Sequence, residues 1–210
     1  MGELRERKKR DTRQRISDVA TALFYARGFD AVTIEEIAAA AQVSKMTVFN
    51  YFGRKEDLLF DRQNEVKQLL REALAQRPKG RSPIDALRDL VDRLSEQKNP
   101  FASIDRRTAP FWHVVAASPS LEARLREVGD ETVEWLAVEL SGPPADGLTR
   151  LVAGMIVLTW RTAYAEALRV FARTSSTKKA HAVFIALIDR GFAAVHELGK
   201  VGLTSPAREG

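Results

Sequence analysis

Two helix-forming runs, TIEEIAAA (33–40) and SKMTVFNYF (44–52), are separated by only three residues, Ala41, Gln42 and Val43. Each run opens on its own cap. Thr33 stands three residues before Glu36, the reciprocal pairing of a capping box, and Ser44 heads the second run. Two short helices joined by so tight a turn must cross steeply, which is the helix-turn-helix arrangement. The rest of the chain has to be compatible with that.

Helical periodicity dominates elsewhere, and no stretch alternates as a strand does. Ile16, Val19, Ala20, Leu23 and Phe24 share a face that stops at Gly28. After Gly53 an amphipathic helix is expected from about Lys55 to Ala75. Ser82, Pro83 and Asp85 mark another start, with proline at the first helical position. The segment KNPFASIDRRTAPFW (98–112) is irregular around two prolines, with a short helix expected from Phe111 to Ala117 and a longer one from Ser118–Pro119. SGPPADG (141–147) is the clearest loop. Two long helices, 147–173 and 177–198, close the sequence. The expected fold class is all-α.

Composition narrows the function. With 210 residues, 45% of them hydrophobic, the chain can bury a sizeable core. A net charge of +5 and a pI near 9.6 permit a nucleic-acid or anionic-membrane partner without requiring one. There is no cysteine, which excludes disulfides, thiolate zinc sites and thiol catalysis. The start, MGELRERKKRDTRQR, lacks the apolar core of a secretory signal. The longest apolar run, LVAGMIVLTW (151–160), is well short of the roughly 20 residues that span a bilayer. A cytoplasmic protein with no membrane partner is expected. His113, His181 and His196 lie far apart, at no metal-ligand spacing. There is no GxSxG, no phosphate-cradling glycine loop and no paired-carboxylate motif. No metal, no cofactor and no enzymatic activity are expected.

The second short helix combines bulk with hydrogen-bonding tips. A helix fits the major groove of DNA, and its N-terminal residues meet the base edges. Lys45 and Thr47 lie in its first turn, and Asn50, three residues on, can grip adenine with two hydrogen bonds. Tyr51 can send its hydroxyl to a phosphate. Val48 and Phe52, four apart, point the other way and lock the helix down. Lys55 stands at the start of the next helix, placed for a backbone phosphate. The alternative is a hydrophobic corner whose polar residues are merely solvated.

The stretch TIEEIAAAAQVSKMTVFNYFGRKEDLL (33–59) resembles the signature of the TetR family of transcriptional regulators. The likeness is carried by Thr33, Ile37, Ala38, Ala41, Val43, Ser44, Thr47, Tyr51, Phe52, Lys55, Glu56 and Leu58, with ALFYARGFDAVT (22–33) before it. Two positions depart from the pattern. Gln42 replaces the usual turn glycine, and Phe49 replaces a tyrosine that contacts phosphate in many members. The resemblance implies an all-helical homodimer on a palindromic operator, usually a repressor, with a small-molecule effector bound in the C-terminal domain. It makes Thr33, Ser44, Lys45, Thr47, Asn50, Tyr51 and Lys55 the expected DNA contacts. The expected organisation is a basic arm (1–10), a helix-turn-helix domain (11–54), a helical effector-binding and dimerisation domain (55–200) and a flexible tail (201–210). RERKKR (5–10) either reaches a neighbouring groove or backbone, or is a solvated tail.

Leu158, Val183, Phe184, Leu187, Ile188, Gly191 and Val195 are the expected dimer interface, since the last two helices are more apolar than a monomer needs. Alternatively those residues close the domain core. Phe111, Trp112, His113, Trp135, Trp160, Arg161 and Tyr164, with Phe101, are candidates for a pocket suited to an apolar or aromatic effector. Against that, tryptophans are core residues more often than ligand platforms. Arg161 could meet an anionic ligand, a glutamate such as Glu134 or Glu166, or the edge of an interface. The rival overall reading is a degenerate helical module that binds a small molecule or protein without specific DNA recognition.

Overall fold

The computed structural model describes residues 2–202, and among these the chain forms nine α-helices and no strand. They are α1 (Gly2–Arg27), α2 (Ile34–Ala40), α3 (Lys45–Tyr51), α4 (Gln63–Ala75), α5 (Pro83–Glu96), α6 (Ala109–Ala116), α7 (Pro119–Ser141), α8 (Gly147–Thr174) and α9 (Thr177–Gly202). A single 3₁₀ turn covers Glu56–Leu58. The all-α expectation holds.

Three boundaries differ from the expectation. Residues 5–10 lie inside α1 rather than ahead of it. Arginine, lysine and glutamate are good helix formers, and Arg7 faces Asp11 one turn on at 4.0 Å. The helix expected from Lys55 begins only at Gln63. Leu58, Leu59 and Phe60 are all buried, and one helix face cannot bury three successive side chains, so the backbone turns there. Of the expected tail, Val201 and Gly202 end α9, and 203–210 lie outside the described residues.

Two compact units divide the chain. The first joins residues up to Asn64 with Pro110–Arg126, and the second joins Glu65–Ala109 with the chain from Glu127 onward. In the first unit, Ile16, Ala20 and Phe24 of α1 meet Ile37 of α2 and Val48 of α3 in one core. Val114 and Val115 of α6 and Leu121 of α7 belong to the same core. Polar ties reinforce it: Ser118 donates to Asp30 at 3.1 Å, and the buried Arg124 donates to Asp57 at 2.8 Å. Gly28 ends α1 in a left-handed conformation (φ 82°), its amide donating to the Phe24 carbonyl at 2.9 Å.

The second unit is built around α8 and α9. Their crossing is close at Gly191, where any Cβ would come within 2.2 Å of the Thr159 side chain. Arg88 of α5 grips Asp189 of α9 through two nitrogens, at 2.8 and 2.5 Å. Arg71 of α4 reaches Glu139 of α7 at 2.6 Å. Caps fix the helix starts: Ser82 accepts the Asp85 amide at 3.0 Å, and Asp146 accepts the Thr149 amide at 2.7 Å.

Candidate nucleic-acid interface

Helix α2 starts as its sequence requires. The Thr33 hydroxyl accepts the Glu36 amide at 3.2 Å, and Glu36 in return accepts the Thr33 amide at 2.8 Å. Arg27 donates to the same carboxylate at 2.8 Å. The Thr33 amide, then Arg27 and the Thr33 hydroxyl, pull the Glu36 carboxyl from its ordinary 4.5 down to about 2. The turn then closes through the Val43 amide on the Ala38 carbonyl at 2.9 Å. Gln42 takes the left-handed conformation that a glycine would adopt freely, at φ 54°. Ser44 caps α3, accepting the Thr47 amide at 3.0 Å.

Helix α3 has one face turned in and one turned out. Val48 and Phe52 are buried, 0% and 2% exposed. At about 1.5–3 kcal/mol for each fully buried side chain of this kind, they hold the helix against α1 and α2. The C-terminal end is held by Arg13, which donates to the Tyr51 carbonyl and stacks 4.2 Å above the Phe52 ring. On the outer face stand Lys45, Met46, Phe49 and Asn50, all exposed.

The seven predicted contacts fare differently. Lys45 and Asn50 are on the outer face, with the Lys45 ammonium paired to Glu35 of α2. Thr47 is half-buried and shares a 2.8 Å hydrogen bond with Ser44. Thr33 is exposed but engaged in its cap. Tyr51 is half-buried against the core.

Lys55 is engaged within its own unit. Its ammonium donates to the Phe29 carbonyl at 2.6 Å and lies 4.2 Å above the Phe29 ring, and burial lowers its pKa from the usual lysine value. In this position it braces the loop after α1. Sequence reasoning missed Met46 as part of the outer face and read Phe49 only as bulk and as a departure from a family pattern. Their spacing of three beside Lys45 and Asn50 was the available signal.

The pocket candidates are drawn from both units. Phe111 and Trp112 pack against the core of the first unit, Phe111 edge-on to Phe60 at 5.9 Å, and His113 is exposed. In the second unit the Trp160 indole donates to the Phe101 carbonyl at 3.0 Å. The Tyr164 hydroxyl lies 2.8 Å from the Pro100 and Ser103 carbonyls. Both therefore pin the irregular segment before α6. Arg161 is exposed, so it carries none of the cost of a buried charge. Trp135 lies beneath Lys67 and Arg71, at 5.9 and 5.4 Å.

The interface candidates also divide. Phe184, Ile188 and Val195 are fully buried within the chain, and Gly191 serves the α8–α9 crossing, so these four close the second unit's core. Val183 and Leu187 are half-buried, while Leu158 is 51% exposed, with Leu151 of the same helix at 53%. Among the described residues no helix is long and apolar enough to cross a membrane. Nor, among them, do three His, Cys, Asp or Glu side chains gather as metal ligands.

A short helix pair joined by a tight turn, with one face sunk in a core and the other facing outward, is the helix-turn-helix arrangement that many DNA-binding proteins carry. Residues 16–61 match the family model described as bacterial regulatory proteins, tetR family. It is similar to the HTH-type transcriptional regulator TcmR of Streptomyces glaucescens, with 36% identity over 84 residues, 40% of this chain and 37% of that one. The chain therefore spans well under half the length of that relative. Among solved structures it is similar to NalD, the secondary repressor of the MexAB-OprM multidrug efflux pump in Pseudomonas aeruginosa, at a TM-score of 0.54 and 17% identity over 89% of this chain and 96% of that one. It is similar as well to SmeT in a complex with triclosan, at 0.56 and 18% over 88% and 91%. At those identities the likeness is one of fold.

Proposed function

We infer that the protein is a cytoplasmic, ligand-responsive repressor that binds a palindromic operator as a homodimer and is released by a small-molecule effector. The observation that carries this reading is the outward face of α3, which is polar at Lys45 and Asn50 and anchored from behind by Val48, Phe52 and Arg13. A rigid helix with that face is suited to the major groove. The basic N-terminal turns of α1 and the net charge of +5 favour attraction to phosphate.

Self-association is supported by the exposed apolar residues Leu151 and Leu158 on α8, a helix otherwise committed to the core of its unit. A two-fold contact through that face would match a two-fold operator. Effector control is supported by the fold shared with SmeT, whose complex holds triclosan. Trp135 and Trp160, both half-buried, give the second unit aromatic surface for an apolar or aromatic ligand, while Tyr164 is buried and Phe111, Trp112 and His113 belong to the first unit.

Selection of duplexes from a random pool by the full-length protein, followed by footprinting, tests the reading. The expected result is a palindrome whose affinity falls steeply with added salt. Failure to enrich any sequence, or salt-independent retention, overturns it.

A further inference from the structure

Met46 is 68% exposed and Phe49 44% exposed, and they are three residues apart on one side of α3. Large apolar side chains so placed on a short helix cost free energy in water unless something covers them. No other residue of the helix offers a comparable apolar surface: Val48 and Phe52 are buried and Tyr51 is half-buried. Lys45 and Asn50 flank the pair on the same outward face, and the Lys45 ammonium is already engaged with Glu35. The centre of that face is therefore apolar, with polar groups at its margins.

Within the major groove the apolar feature at a base edge is the 5-methyl group of thymine. We propose that Met46 and Phe49 read thymine methyl groups, so that sequence choice rests on an apolar contact at the centre of α3 as much as on hydrogen bonds from its edges. This inference rests on the DNA-binding reading above and adds the base that is read. Met46 is suited to the task because an unbranched thioether can adapt to small differences in groove shape. Phe49 offers a stiffer surface, one helical turn along the groove.

The test uses the full-length protein and a duplex it has itself selected from a random pool. Each thymine in a half-site is replaced in turn by uracil, which removes the methyl group and leaves every hydrogen-bonding atom in place. At one or two positions the dissociation constant is expected to rise about three- to fivefold, the worth of one buried methyl. The Met46→Ala and Phe49→Ala proteins should bind more weakly and lose that sensitivity, each at its own position. Both side chains are exposed, so the variants should melt as the parent does, and the uracil series on the parent needs no variant at all. If no uracil substitution weakens binding, or if both variants keep the parent's full sensitivity, the inference is overturned while DNA binding stands. If no duplex is bound at all, both fall together.

Discussion

At the scale of single residues, two lysines that look equivalent in the sequence have different work. Lys45 stands on the outer face, whereas Lys55 is engaged at Phe29. Lys45→Ala should lower the salt dependence of duplex binding by about one phosphate contact. Lys55→Ala should leave that slope unchanged and cost about 1–2 kcal/mol of stability, through the lost charge-assisted hydrogen bond and ring contact. Salt titrations and urea unfolding separate the two, and a reduced slope for Lys55→Ala would return it to the DNA contacts. Gln42 sits at φ 54°, where a Cβ is penalised. Gln42→Gly should therefore raise stability by about 1 kcal/mol, read as a higher urea midpoint; a lower midpoint would show that the side chain compensates for its backbone.

Two carboxylates should bend the pH profile in opposite directions. Glu36 is lowered to about 2, so its contribution is complete above the ordinary 4.5 and is lost as pH falls toward 2. Asp61 is raised above the ordinary 3.8, chiefly by burial and in spite of the Ser17 hydroxyl 2.5 Å away. Its contribution is complete below 3.8 and is lost as pH rises through the elevated value. Denaturation midpoints from acid to neutral pH should show Glu36→Gln losing less stability on acidification than the parent. Asp61→Asn should lose less on the rise to neutrality. Parallel curves for parent and variants would contradict both assignments.

At the scale of elements, the short pair α2 and α3 was legible because its signals are local. The capping box, the three-residue break and the spacing of Val48 and Phe52 all lie within one helical turn of what they control. The features that could not be read join distant parts of the chain. Nothing near Asp57 announces Arg124, and nothing near Lys55 announces the Phe29 carbonyl. The apolar stripe on α9 was visible, but a stripe does not name its partner. Phe184 and Ile188 turned out to face their own chain because α8 and α5 cover them. Contributions from α6 and α7 to the first core have a measurable consequence. Leu121→Ala should cost about 2–5 kcal/mol, the usual loss for a large cavity, although residue 121 lies 60 positions beyond the 16–61 family match. A loss below about 1 kcal/mol would mean that this stretch only rests on the head.

At the scale of the whole molecule, the exposed face of α8 bears on self-association. Leu158→Glu adds a charge to a surface that is half exposed in the single chain, so the fold should survive and the proposed dimer should not. Sedimentation should then report a monomer with unchanged helix content and weakened binding to the selected palindrome. An intact dimer would move the interface elsewhere. The first unit is drawn from two separate stretches of chain, residues up to 64 and 110–126. A chimera spliced at residue 64 alone would transplant half a building: it would leave Val114, Val115, Leu121 and Arg124 behind with the donor. Exchanging specificity between relatives of this kind means grafting both stretches, or repainting only the outer side of α3 and leaving its foundations in place.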